Sequence, residues 1–215
     1  ILNTRTSQVE TAGAVILTNS PVSAVKRHES SGMFHLKAGN RKIETPCLVV
    51  AAGGACYPSA GATPLGYKIA EHFGIKVVTP RPGLVPFTLT SRDKDRYQAL
   101  SGISLPARGK CRGSAFEEEL LFTHRGLSGP VILQLSSYWQ PGDTILLDLL
   151  PQVNISDFLE NARKNHPKKQ VRSIISELIP RRLADLLLRG IDSYNKPAAS
   201  LARTCMKSIA SALHE

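Results

Sequence analysis

Leu48 to Arg81 reads LVVAAGGACYPSAGATPLGYKIAEHFGIKVVTPR, and the order of its parts decides how the rest of the chain is read. The run Cys47–Ala51 is apolar throughout, as a strand buried on both faces should be. Gly53-Gly54 ends it. A loop of small residues and prolines follows, then Leu65–Phe73 with helical period. Ile69, Ala70 and Phe73 fall on one face of that helix, and Lys68, Glu71 and His72 on the other. Gly74 stops the helix and Ile75–Val78 is a second apolar strand. Strand, glycine turn, helix and strand in this order form an α/β unit of the nucleotide-binding kind, whose ligands lie at the carboxyl ends of strands. The Gly-x-Gly-x-x-Gly loop that should precede it is nowhere in the chain.

The glycines set what the segment can do. A cofactor can lie against a strand end only where no Cβ intervenes, which suits Gly53 and Gly54. A Gly pair also serves a tight turn, and on those residues alone the turn is the stronger reading. In the loop Tyr57–Gly66, Thr63 is expected to cap the helix, with Pro64 in its first turn.

Outward from this segment, Leu2–Thr11 reads as a helix closed by Gly13, and Ala14–Thr18 as a short strand. Val22–His28 and Met33–Ala38 form a hairpin turned at Ser30-Ser31-Gly32, and Lys42–Thr45 leads into the apolar run. After Pro80 the character changes. Val85–Leu89, Ile103–Cys111, Leu120–Phe122 and Thr144–Leu149 are short strand candidates. Val131–Trp139 is a helix with Pro130 at its first turn. Beyond Pro151 the chain is helical. Ser156 is expected to cap Asp157–Asn165. Gln170–Leu178 and Arg181–Arg189 follow, split by Pro180, and Leu201–Leu213 closes the chain. The expected segments are 1–82, an α/β domain; 83–150, a small β-barrel-like domain; and 151–215, an α-helical domain.

A second segment stands out. LLFTHRGLSGP, Leu120–Pro130, sets His124 and Arg125 between a strand and a helix start at Ser128-Gly129-Pro130. An imidazole and a guanidinium beside a helix N-terminus suit an anionic or electron-rich ligand. A loop-anchoring His and a salt-bridged Arg are the plainer readings. Glu117-Glu118-Glu119 is expected to be a solvated turn between strands rather than an acid–base pair. Lys168-Lys169 and Arg181-Arg182 are expected to be solvated helix ends.

Composition excludes several classes. No apolar run approaches the ~20 residues of a membrane span. The cysteines Cys47, Cys56, Cys111 and Cys205 are far apart and form no CxxC pair, which speaks against zinc or a dithiol motif and for reduced thiols. Lys and Arg number 27 against 17 Asp and Glu, a net charge of +10. Residues 1–80 carry 8 basic and 4 acidic residues, 81–150 carry 8 and 7, and 151–215 carry 11 and 6. Only 6% of residues are aromatic and none interleave with the basic ones, so a basic surface without nucleic acid is the expectation. A binding module for RNA or an acidic protein is the alternative. No Gly-x-Ser-x-Gly context supports a hydrolase on Ser128 and His124.

Taken together, three blocks resemble the YhiN/BaiN-like group of bacterial flavoproteins, often described as NAD(P)/FAD-dependent oxidoreductases. They are LVVAAGGACYPSAGATPLGY at 48–67, RPGLVPFTL at 81–89 and LLFTHRGLSGPVILQLSSYW at 120–139. The likeness runs from about Gly13 to Pro151 and loosely beyond. Ala52 replaces the family's usual Thr, and Cys56 its common Ser. The resemblance implies a partial FAD-binding, Rossmann-like domain, with β-rich and helical inserts after it. It implies FAD as cofactor, NAD(P)H as possible donor, a conjugated small-molecule substrate and a cytoplasmic setting. Gly53, Gly54, Tyr57, Pro58, Gly61 and Gly66 would approach the cofactor, and His124 and Arg125 the substrate or the flavin edge. With Ile1-Leu2 opening without Met, the expectation is a central fragment, inactive alone.

Overall fold

A computed structural model describes residues 2–214. The chain divides into two compact units at the Thr79–Pro80 junction.

The first unit begins with α1 (Leu2–Thr11), which ends at Gly13 with φ +77°. β1 (Val22–Arg27), β2 (Phe34–Ala38) and β3 (Arg41–Thr45) form an antiparallel meander in the order β1-β2-β3. β1 and β2 are joined through His28–Met33, where the N–H groups of Gly32 and His28 close the turn. α2 (Leu65–His72) is where its period places it. Pro64, not Thr63, occupies its cap position and no side chain caps it. Among the described residues of this unit, Val25 and Ala38 are the buried hydrophobics.

Three expected strands are absent as strands. Residues 14–18, 47–51 and 75–78 pair with no neighbour among the described residues. Their apolar side chains face outward: Val15 is 82% exposed, Val49 85% and Val78 82%. The physical reason is lateral. An apolar run becomes a buried strand only when flanking strands take its backbone N–H and C=O groups and layers cover both faces. A three-stranded meander and the helices α1 and α2 supply neither.

The second unit is built differently. β4 (Phe87–Thr88), β5 (Ser104–Cys111), β6 (Ser114–Phe122), β7 (Gly126–Ser128) and β8 (Leu146–Asp148) make an antiparallel sheet ordered β4-β7-β6-β5-β8. Burial in β5 alternates strictly, with Leu105, Ala107, Gly109 and Cys111 inward, the period-2 signature of a one-sided strand. β5 and β6 meet at Arg112-Gly113, φ 49° and 82°, the left-handed pair of a type I′ turn. Pro106 is tolerated because β8 pairs only with Arg108–Lys110 and leaves that stretch of β5 without a third strand.

Glu117, Glu118 and Glu119 lie inside β6, not in a turn. The side chains of Glu117 and Glu119, which share one face of the strand, find partners. Arg108 donates to Glu117 Oε2 from Nε at 2.9 Å, Gln152 Nε2 donates to Glu117 Oε1, and Ser104 Oγ donates to Glu119 Oε2 at 2.7 Å. The hydrogen bonds from Gln152 and Arg108 hold the Glu117 carboxyl below its ordinary value.

Helices cover the sheet and merge with it. α3 (Ser91–Tyr97) is capped by Thr90, whose Oγ1 accepts from Asp93 N–H. α4 (Pro130–Ser136) packs so tightly on β5 that a Cβ on Gly109 would overlap Leu135. α5 (Ile155–Asn165) is capped by Asn154, which accepts from the Ser156 and Asp157 N–H groups, so the cap falls two residues before the expected Ser156. α6 (Val171–Ile175), α7 (Arg181–Leu188) and α8 (Arg203–His214) complete the unit. The end of α8 returns to β8: Leu149 N–H donates to the Leu213 carbonyl at 2.8 Å, and His214 Nδ1 lies 2.7 Å from Asp148 Oδ1. One hydrophobic cluster runs from Leu100 to Leu213, drawing on both of the segments expected as separate inserts.

Candidate functional site

In the first unit the Gly53–Gly66 segment forms a thin exposed ledge. Gly53 takes φ +67° with open space where a Cβ would stand, and Gly61 does the same at φ +85°. Between them Pro58–Ala60 is a single 3-10 turn, closed by Ala60, Gly61 and Ala62 N–H groups donating back to Tyr57 and Pro58 carbonyls. Pro58 presets that turn, which leaves Tyr57 72% exposed. Gly66, in the first turn of α2, sits over the end of the apolar run: its Cβ would lie 3.7 Å from Val50 and 3.8 Å from Ala52. A Cβ on Gly54 would lie 3.4 Å from the Tyr67 hydroxyl. The fold thus brings the six expected cofactor residues onto one local structure.

The chemistry of this ledge is selective. It offers bare backbone, a phenol and the exposed apolar flank of Val49 and Val50. No Lys or Arg lies between Pro46 and Tyr67. Such a surface fits the flat, largely uncharged ring portion of a flavin.

In the second unit His124 and Arg125 form the tip of the β6–β7 hairpin, both exposed. Thr123 fixes that tip: its Oγ1 accepts from Arg125 N–H at 3.2 Å and Gly126 N–H at 3.1 Å. Leu89 N–H donates to the Arg125 carbonyl at 3.1 Å and ties the tip to the chain after β4. The expected juxtaposition with a helix start is not formed, because β7 intervenes before Pro130. The glycines of LLFTHRGLSGP serve the backbone. A Cβ on Gly126 would overlap the Phe87 carbonyl oxygen, and one on Gly129, at φ 91°, the Glu119 carbonyl oxygen. These glycines let β7 and the start of α4 lie directly on their neighbours. No group of three His, Cys, Asp or Glu residues able to hold a metal occurs among the described residues. Nor is any described helix long and apolar enough to cross a membrane.

Sequence reading missed a polar network in the helical part. Arg172 donates from Nε to Asp185 Oδ1 at 2.6 Å and from a second nitrogen to Oδ2. Tyr194, 1% exposed, donates its hydroxyl to the same Asp185 Oδ1 at 3.0 Å. The hydrogen bonds from Arg172 lower the Asp185 carboxyl, while burial and the bond to Asp185 push Tyr194 up to about 12. Arg181-Arg182 begins α7, as the expected helix Arg181–Arg189 has it. The only sequence signal was the i, i+3, i+4, i+7 spacing of residues 182, 185, 186 and 189.

The family model described as "HI0933-like protein barrel and H2TH domain" matches residues 81–215. The chain is 40% identical over 212 residues, 97% of its own length and 52% of the relative's, to a protein of Haemophilus influenzae named "Ribosomal RNA dihydrouridine synthase". A protein of the same name from Escherichia coli strain K12 is 39% identical over 188 residues, 87% of this chain and 46% of the relative. The chain spans about half the length of these curated relatives. It belongs to the HI0933-like family, a family of flavin-dependent oxidoreductases.

Proposed function

We propose that this chain works within a flavin-dependent enzyme that reduces uridine to dihydrouridine in ribosomal RNA. The observation that carries the reading is the 40% identity sustained along 97% of the chain to a relative with that name. The chemistry agrees with the sequence-based expectation of a conjugated substrate. The C5–C6 double bond of uracil is conjugated with the C4 carbonyl, as in an enone. A bound FAD would supply the two-electron reducing chemistry, with NAD(P)H as electron donor, and one proton would complete the saturation of that bond. The net charge of +10 then acquires a polyanionic partner, and the expectation of a surface without nucleic acid is reversed.

In this reading the first unit is part of a Rossmann-like FAD-binding domain. Gly53, Gly54 and Gly61 let the flavin ring lie on bare backbone, Tyr57 and Pro58 border it, and Gly66 keeps α2 close behind the ledge. The diphosphate is held elsewhere in the whole protein. His124 and Arg125 contact the RNA substrate from a tip whose backbone is held by Thr123. No residue is assigned as the proton donor.

The test is direct. The full-length protein, purified with its flavin and supplied with NAD(P)H, is incubated with ribosomal RNA isolated from cells lacking it. Nucleoside mass spectrometry should find one uridine heavier by two hydrogens. A flavin-loaded protein that oxidises NAD(P)H but leaves every uridine unchanged contradicts the substrate. A colourless protein that takes up no added FAD contradicts the redox reading altogether.

A further inference from the structure

A recess in the second unit is lined by arginines that neither the flavin ledge nor the His124–Arg125 tip uses. One face of α7 presents Arg182, Asp185, Leu186 and Arg189 at the spacing of neighbours on a helix. Arg172 and Ala99 close the recess, whose volume is about 380 Å³. Three guanidiniums therefore face one carboxylate. Asp185 is already committed to Arg172 and Tyr194. Arg182 donates to the Ala99 carbonyl at 3.0 Å, which orients its fork without neutralising it. Arg189 is exposed and forms no ion pair among the described residues.

The Arg181-Arg182 start of α7 is costly for the helix. Cations in a first turn oppose the helix dipole, and no acidic residue stands in that turn. Arg189 lies at the other end of α7, directly after Leu188. Two guanidinium forks without a carboxylate partner in one concave site fit an anion that takes parallel N–H donors, which describes phosphate. Ala99 and Leu186 give an apolar wall for a sugar.

We infer that this recess binds a backbone phosphodiester of the RNA strand and so positions the substrate. The inference rests on the reading of ribosomal RNA as substrate. A contact of this kind fixes register and orientation and reads no base.

Fluorescence anisotropy of a labelled single-stranded RNA oligonucleotide, titrated with this chain across a salt series, tests it. Replacing Arg182 and Arg189 together by Ala should weaken binding about tenfold or more and lower the log–log salt slope by about 0.7, the value for one lost phosphate contact. Arg189→Ala alone, at an exposed unpaired residue, should weaken binding by less and in the same salt-dependent way, and serves if the double variant misfolds. Lys164→Ala with Lys168→Ala, exposed cations outside the recess, should leave the slope unchanged. Equal losses from both pairs, no loss from the arginine pair, or no RNA binding by the unaltered chain overturns the inference. The full-length protein separates this failure from failure of the parent reading. If it forms dihydrouridine and the arginine pair leaves its KM for RNA unchanged, the recess is wrong and the activity stands. If it forms none, the activity is wrong, and the anisotropy slope alone decides the recess.

Discussion

The two units of this chain have similar kinds of sequence and opposite degrees of completion. The second unit closes on itself: strand alternation, glycine contacts and the five helices α4 to α8 feed one cluster from Leu100 to Leu213. The first buries only Val25 and Ala38 among its described hydrophobics and leaves Val15, Val49 and Val78 facing outward. The difference teaches that apolar patterning specifies a strand only together with its neighbours. β5 finds β6 two residues away through Arg112-Gly113, whereas residues 47–51 find no strand beside them. In the proposed function that open surface is useful, since the ledge at Gly53 meets a cofactor rather than a core.

Substitutions can break this contrast. The largest effect is expected at Gly126. Any Cβ there overlaps the Phe87 carbonyl, so Gly126→Ala must move backbone and should cost on the order of 4 kcal/mol or more, read by chemical denaturation of the second unit. An unchanged midpoint would mean that the β4–β7 contact is not as drawn.

Leu120→Ala empties a fully buried site and should cost about 2–5 kcal/mol. Val25→Ala in the first unit should cost well under that, because its surroundings can collapse or are already wet. Equal costs would contradict the contrast between the two cores.

The Asp185 network gives the second unit a pH signature. Tyr194 is raised to about 12 in the folded chain, above its unfolded value near 10, so its stabilisation is complete below about pH 10 and is lost as pH climbs toward 12. The amount is on the order of 2 kcal/mol. Asp185 is lowered, so its contribution is present above its unfolded value of about 4 and fades as pH falls through the folded one. Tyr194→Phe should flatten the alkaline limb in a pH series of melting curves and leave the acid limb in place. A variant whose alkaline limb matches the parent's would remove Tyr194 from this role. The smallest effect belongs to Glu117→Gln, an exposed strand pair whose loss should leave the denaturation midpoint nearly unchanged at moderate salt.

Much of this was legible in the chain. The period of Leu65–His72, the alternation of Leu105, Ala107 and Cys111, and Pro130 opening α4 all follow from local rules. What failed has identifiable causes. α3, SRDKDRY, has no apolar stripe and is held by the Thr90 cap. Glu117–Glu119 read as a turn because their partners Arg108, Ser104 and Gln152 lie 9, 15 and 35 residues away. In the candidate site, the glycine ledge was visible from its small residues and the resemblance they carry. The arginine face of α7 was hidden, because Arg181-Arg182 looks like any solvated helix end until Asp185, Tyr194 and Ala99 are seen around it.

In the proposed function this chain belongs to an enzyme that reduces uridine in ribosomal RNA. The decisive measurement compares, by nucleoside mass spectrometry, ribosomal RNA from cells with the gene for the whole protein deleted and from cells in which it is restored. Dihydrouridine at one ribosomal position should disappear on deletion and return with the intact gene, but not with a flavin-free variant. Identical dihydrouridine content in all three RNAs would contradict it.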